Sequence, residues 1–291
     1  MYLDLHTHTL ASDGRLTPTQ LVKKAKKLGF SYLAKTDHDN VNLMEEFLTA
    51  GKKFGVHTIS GMEISSRYLG KSLHIAALGI DYQNKKINWY AQKCITARKN
   101  RGLKMAAKLQ ANGWQIKKSE LKRVLLARPH IALSMINHPK NKKRLLQEFG
   151  VIPDFSTFIR KYLAKGRPCF VPKKYYLKPL PAIKMIHGAG GLAIIAHPLC
   201  KTKEFSFSRA HLLKIIKNLP FDGLEVYGRE NTHAETIYLK SLAQKYHLLI
   251  SAGSDYHGYD QAYPMGIVYH GRLVEESDCQ ELIYKLCLRQ P

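Results

Sequence analysis

The sequence predicts an α/β protein, a parallel sheet or barrel interrupted by a helical insertion. Short apolar runs with strand character recur toward both ends of the chain, several with helical pattern between them, and such alternation favours parallel strands. From about residue 87 to residue 163 that rhythm gives way to helical periodicity. The length of 291 residues is near that of one α/β barrel, so by length a single large domain carrying an insertion is as plausible as two separate domains.

Taken in order, residues 2–5 read as a first strand and Ser12-Asp13-Gly14 as a turn. Thr17-Pro18-Thr19-Gln20 has the form of a capping box, with Thr17 at the N-cap, Pro18 at the first helical position and Gln20 reaching back. Leu21, Val22, Ala25 and Leu28 then recur at helical spacing until Gly29 ends the helix. Further strands are expected at 32–36, 57–60, 73–78, 192–196, 223–227 and 248–251. In the helical middle Gly113, Pro129, Pro139 and Pro153 mark the breaks, and residues 162–181, with Pro168, Pro172, Pro179 and Pro181, form the return path. The expected organisation is a discontinuous barrel of residues 1–84 and 166–291 around a helical insertion of residues 85–165. No internal repeat or low-complexity stretch is present.

An apolar content of 45% suits a globular protein, and no uncharged apolar run reaches the length of a membrane span. The N-terminal residues lack the basic, apolar and small-residue succession of an export signal. Five cysteines (Cys94, Cys169, Cys200, Cys279, Cys287), odd in number and widely spaced, argue against a disulfide framework or a thiolate metal site, and a reducing cytoplasm is the expected location. The formal charge of +24 predicts attraction to polyanions. It is concentrated: residues 85–165 hold twenty Lys and Arg against three acids, Glu120, Glu148 and Asp154, and so contribute +17.

The chemistry is carried by His, Asp and Glu at the ends of strand-like runs. His6-Thr7-His8 follows the first strand, where alternation points both imidazoles to one side. Asp13 lies in the first loop, His38 in Thr36-Asp37-His38-Asp39, Glu63 in Gly61-Met62-Glu63, and His74 at the fourth strand. Late in the chain come His197 in Ile195-Ala196-His197-Pro198, then Asp255 and His257 in Gly253-Ser254-Asp255-Tyr256-His257. A single His-x-His is more often structural than a ligand pair. Residues at the C-terminal strand ends of a barrel converge, however, so nine such residues at one topological position point to a metal site.

These segments resemble the PHP (polymerase and histidinol phosphatase) family, whose motifs are similar to His6-Thr7-His8, Thr36-Asp37-His38, Ile195-Ala196-His197-Pro198 and Asp255-Tyr256-His257. The resemblance implies a distorted (β/α)₇ barrel with three metal ions. His6, His8, Glu63 and Asp255 would hold the first ion, Asp13, His38 and His257 the second, and Glu63, His74 and His197 the third, with Glu63 bridging. The similarity is greatest to the TrpH or RNase AM branch, which contains nucleoside 3',5'-bisphosphate phosphatases and 5'-3' exoribonucleases. It includes Ala11-Ser12-Asp13-Gly14-Arg15-Leu16-Thr17-Pro18, Ile59-Ser60-Gly61-Met62-Glu63-Ile64-Ser65 and Ala127-Arg128-Pro129-His130. By that resemblance Arg128 and His130 reach the substrate phosphate. Two departures are Lys35, where an apolar residue is usual, and Asn40, where threonine is usual.

Imidazole and carboxylate ligands without sulfur suit Mn, Fe or Zn, and the resemblance favours Mn²⁺. Clustered divalent ions neutralise phosphoryl oxygens and supply a hydroxide for attack on phosphorus. His6, His8, Glu63 and Asp255 would form the catalytic core, with His130 donating a hydrogen bond to the substrate or protonating the leaving group, and Arg128 gripping phosphate as a fork. Arg229 and His233, after a strand-like run, are second-rank substrate contacts; Trp114, Tyr175, Tyr176 and Tyr227 are aromatics able to stack on a base, though packing is the commoner role for such residues. The expected substrate is a nucleotide or short RNA, with neither membrane nor obligate protein partner. Alternatives are a small-molecule phosphatase of the histidinol-phosphatase type, which needs no strongly basic insertion, and a non-catalytic metal-stabilised nucleic-acid-binding module, which loss of ligands would mark.

Overall fold

The computed structural model describes residues 1–199, 207–259, 264–269 and 272–289. Cys200 lies outside these residues; Cys94, Cys169, Cys279 and Cys287 are free thiols. The chain divides into two compact units, Met1–Ala91 with Tyr176–Pro291, and Gln92–Tyr175.

The first unit is built on a seven-stranded sheet in sequence order: β1 (Tyr2–Thr7), β2 (Phe30–Lys35), β3 (His57–Tyr68), β4 (Lys71–Leu78), β5 (Leu192–Ile195), β6 (Gly223–Gly228) and β7 (Leu249–Gly253). The sheet curls into a nearly closed barrel. Where its two edge strands end, Thr7, the last residue of β1, bridges Tyr256 in parallel and the His8 N–H donates to the Tyr256 carbonyl at 2.9 Å.

The described α-helices are α1 (Pro18–Lys27), α2 (Met44–Phe54), α3 (Lys85–Ala111), α4 (Lys118–Leu121), α5 (Arg128–Ile136), α6 (Lys142–Phe149), α7 (Phe155–Phe158), α8 (Pro179–His187), α9 (Arg209–Asn218), α10 (His233–Lys245) and α11 (Gln280–Cys287). The capping box opens α1 as expected: Thr17 Oγ1 accepts from Gln20 N at 3.1 Å, and Gln20 Oε1 accepts from Thr17 N at 2.9 Å. Leu21, Val22 and Ala25 then bury against Phe30, Leu33, Met44 and Phe47, fastening α1 and α2 to one side of the sheet.

The alternation rule needs one correction. β4 runs antiparallel to both β3 and β5, while the other pairs are parallel. The reason is local: Leu69 and Gly70, with φ of 48° and 78°, join β3 to β4 in a two-residue turn, and so short a connection permits only an antiparallel hairpin. β3 is therefore longer than the expected 57–60 run, and Glu63 lies inside that strand, not beyond its end, while His74 lies within β4.

The second unit holds most of α3 and all of α4 to α7. Its core is its own, with Met105, Leu109, Trp114, Ile131, Met135, Leu145, Phe158 and Tyr162 buried together. Trp114 meets Phe158 and Tyr162 edge-on at 5.1 and 5.3 Å between centroids, so it is a packing residue and not a stacking platform. The Arg144 guanidinium lies 4.2 Å from the indole centroid. The unit's limits fall later than the expected 85–165, because α3 starts in the first unit and Cys169 is buried in the second unit's core. Pro129 and Pro139 each stand in the first turn of a helix, starting it as Pro does where its missing N–H is harmless. All three acids are engaged within the unit: Glu120 with Arg123, Glu148 with Arg144, Lys161 and Tyr162, and Asp154 as the N-cap of α7. The unit's cations therefore far outnumber the carboxylates it offers them.

Candidate metal centre

The barrel brings eight of the nine ligand candidates into overlapping groups, and the ninth, His197, lies against two of them. In each group the potential ligand atoms fall within 4.8 Å of one another: His6, His8, Glu63 and Asp255; His8, Asp13, His38 and His257; and His38, Glu63 and His74. His197 was expected in the third set. Its Nε2 is 3.0 Å from Glu63 Oε1 and 3.2 Å from His74 Nδ1, while His38 Nδ1 approaches Glu63 Oε2 to 2.6 Å. Glu63 belongs to two of the three groups, as do His8 and His38, and it is fully buried and within 3.5 Å of His6, His8, His38, His74 and His197.

Backbone geometry aims these groups. His6 and His8 flank Thr7 at the end of β1, and their rings lie 5.3 Å apart in the cluster. At the ends of β5 and β7 the chain turns through His197 and Asp255 at φ of 28° and 51°, conformations that non-glycine residues rarely adopt. Gly253 admits the close approach of β1 and β7, since a Cβ there would come within 2.2 Å of His6 Cβ.

Electrostatics prepares the carboxylates as anions. Burial alone would raise Glu63, but His38, His74 and His6 outweigh it and hold it well below the usual carboxylate range. Asp13 and Asp255 are likewise held well below, each against burial, by neighbouring imidazoles. Burial pushes His8 and His74 down to about 4, leaving them neutral. His257 goes the other way, to about 10, because Asp255 and Asp13 overcome its burial. The carboxylates thus already gather positive charge, and a divalent cation bound there would displace protons.

The donor set fits such ions. Five buried atoms of the cluster, His6 Nε2, His8 Nε2, Asp13 Oδ1, His38 Nδ1 and Glu63 Oε2, find no hydrogen-bond partner in proper geometry. Leaving a buried polar atom unsatisfied costs about 1–3 kcal/mol, so five in one place argue for a cation as their missing partner. There is no sulfur in the set, which directs it to Mn, Fe or Zn.

Sequence reasoning missed the groups behind the ligands. Glu225, 2% exposed in β6, accepts from His6 Nδ1 at 2.9 Å and from the His197 backbone N–H at 3.1 Å. This keeps the His6 proton on Nδ1 and turns Nε2 inward. His257 Nδ1 is committed in the same way, to the Asp255 carbonyl at 2.7 Å. Asp39 accepts from Ser65 N and Tyr90 Oη, each at 2.7 Å, holding the segment beside His38. A lone acid inside an apolar strand was the available signal for Glu225. Glu225→Gln is expected to lower metal affinity about 10–100-fold, read by metal titration, while the melting profile stays close to wild type.

The remaining candidates are placed as follows. Asn40 is buried and donates to the Ala11 and His38 carbonyls, closing the loop between them. Arg229 follows β6, and His233 opens α10 with its Nδ1 2.9 Å from Tyr269 Oη. Tyr227 is buried, with its ring against Tyr269. Tyr176 lies under the Arg67 guanidinium, 5.4 Å from it, and Tyr175 is half-buried in the second unit. Arg128 and His130 open α5 in the second unit, and His130 Nδ1 accepts from the Ala127 N–H at 3.2 Å, which assigns its proton to Nε2.

A profile of the PHP domain matches residues 4–167. A Haemophilus influenzae protein named 5'-3' exoribonuclease is 31% identical over 278 residues, covering 94% of this chain and 95% of that one. A Chromobacterium violaceum protein named 3',5'-nucleoside bisphosphate phosphatase is 29% identical over 268 residues, 88% of this chain and 87% of the other. Among solved structures, one described as an amidohydrolase from Chromobacterium violaceum, with bound sulfate and no metal, superposes with a TM-score of 0.81 at 26% identity over 99% of this chain and 97% of that one. No helix among the described residues is long and apolar enough to cross a membrane.

Proposed function

The chain belongs to the PHP domain family, and from that premise we propose that it is a metal-dependent phosphoesterase hydrolysing nucleotide phosphoesters. The substrates we assign are a 5'-monophosphorylated RNA, cut from its 5' end, and a nucleoside 3',5'-bisphosphate. The observation that carries the reading is the cluster around Glu63, with its buried atoms lacking hydrogen-bond partners. Three divalent ions, Mn²⁺ first, would be held by His6, His8, Glu63 and Asp255, by Asp13, His38 and His257, and by Glu63, His74 and His197. When bound, such ions neutralise phosphoryl oxygens and make a hydroxide available near neutral pH.

The chain's own residues do the rest. Glu225 and the Asp255 carbonyl engage Nδ1 of His6 and His257, so that Nε2 of each would face a bound cation once its proton is displaced. Arg128 is assigned the phosphate, as a two-pronged donor, and His130, with its proton on Nε2, the leaving oxygen. Arg229 and His233 are assigned to the nucleotide. Two features support a nucleotide or RNA over a small-molecule phosphate ester of the histidinol-phosphate type: the names of the relatives, and twenty basic residues against three acids in residues 85–165. The filled ligand positions weigh against a purely binding role. The same chemistry fits a cytoplasmic enzyme.

The test compares product release in Mn²⁺ from adenosine 3',5'-bisphosphate and from a 5'-phosphorylated RNA oligomer. Stepwise mononucleotides from the RNA are expected; phosphate from the bisphosphate alone would restrict the enzyme to metabolites, and silence on both would overturn the reading. Arg128→Ala should retain its metals and lower kcat/KM by about 10²-fold, the loss of a charge-assisted pair; unchanged kinetics would remove Arg128 from the substrate.

A further inference from the structure

Asp13 and Asp255 are each preceded by a serine that donates to a buried carboxylate distant in sequence. Ser12 Oγ lies 2.5 Å from Asp37 Oδ1, and Ser254 Oγ lies 2.5 Å from Asp4 Oδ2. Each carboxylate takes further donors: Asp37 from Thr9 N at 2.8 Å and Thr9 Oγ1 at 2.7 Å, Asp4 from Ser254 N at 3.0 Å and Gly266 N at 2.9 Å. The two clamps differ in one respect. Asp37 has a cation beside it, Lys35 Nζ at 2.8 Å, on a side chain that is wholly buried.

A buried ammonium is costly unless it is paired, and nothing in the proposed chemistry uses Lys35 directly. Its position explains it. An ionised carboxylate only accepts, and Asp37 must accept from Thr9 N, Thr9 Oγ1 and Ser12 Oγ together. Those bonds hold the loop that delivers Asp13, and Ser12 Oγ also stands 3.4 Å from His8 Nδ1. We propose that Lys35 is a positioning residue: its charge keeps Asp37 in this three-donor geometry and so sets the cation affinity of the Asp13, His38 and His257 group. The inference rests on the metal-site reading above, so its test reads metal binding itself.

The experiment is titration of the chelator-treated full chain with Mn²⁺, following free Mn²⁺ by electron paramagnetic resonance. Lys35→Met, similar in length and uncharged, should weaken one class of site about 10–100-fold and leave the others unchanged. Asp37→Asn alone should weaken the same class, because its amide NH₂ would face the ammonium. The double variant should recover to within about threefold, since both charges are then gone and the amide introduced at position 37 can still accept from Thr9 N and Ser12 while donating to Thr9 Oγ1. Ser12→Ala, which leaves the ion pair intact, should also weaken that class. If Lys35→Met does not fold, the double variant and Ser12→Ala decide the matter. Unchanged titration of Lys35→Met, absence of rescue in the double variant, or normal binding by Ser12→Ala would each overturn the proposal. A wild-type chain that binds no Mn²⁺ would instead overturn the metal reading itself.

Discussion

Glu63→Gln is expected to lose bound metal and to lower turnover by about 10³-fold, the scale on which removal of a key electrostatic group acts. The substitution keeps the shape and takes away the charge. Glu63 is fully buried, with both oxygens surrounded by imidazoles: His8 and His38 approach Oε2, and His6, His74 and His197 approach Oε1. A glutamine would turn an NH₂ toward lone pairs that must all face a cation. The imidazoles can lose their protons, so removing the carboxylate leaves no fixed charge unpaired and the barrel should still melt cooperatively. Metal content by elemental analysis and hydrolysis of the RNA oligomer measure the two effects on one preparation. A variant with full metal and normal turnover would sink the assignment of Glu63 as the shared ligand.

Trp114→Ala should destabilise the second unit by about 3–5 kcal/mol, the cost of deleting a buried indole with incomplete collapse around the cavity. Trp114 is 1% exposed, in edge contact with Phe158 and Tyr162, and it underlies the Arg144 guanidinium. A unit of this size has a total stability of about 4–12 kcal/mol, so the loss would consume much of it. The core involved runs from Met105 to Cys169 and lies within the second unit. Hydrogen exchange should therefore speed up in α5 and α7 while the amides of β1, β2 and β7 keep their protection. Equal acceleration in the barrel strands would mean that the units unfold together.

Apart from β3, which runs eight residues past its expected end, the strands were legible to within a few residues because each is a short apolar run bounded by turn chemistry, and the capping box at Thr17 was readable in full. The antiparallel hairpin was not. Leu69-Gly70 lacks the Asn or Asp that usually announces so tight a turn, and a hydrophobic run does not state its direction. The limits of the insertion were misjudged because α3 is a single helix of 27 residues with no break at the boundary. In the site, side chains ending short motifs stood out, while Glu225 was concealed inside a strand and Lys35, noticed as a departure, had no account until the fold placed it beside Asp37. Asp37 stood in plain view within a motif, but its hold on Ser12 required knowing that two loops meet.

Asp4, in the first strand of the barrel, clamps Ser254, just past the end of the last. A nascent chain therefore carries His6 and His8 through the synthesis of nearly the whole barrel with neither Asp255 nor His257 to complete their groups. Contacts of such long sequence separation form late and slowly. The two groups that draw on Asp255 and His257 can close only once the last strand has been made, whereas the His38, Glu63 and His74 group is encoded by residue 74, so an incomplete or prematurely released polypeptide carries a part of the centre and never the whole of it.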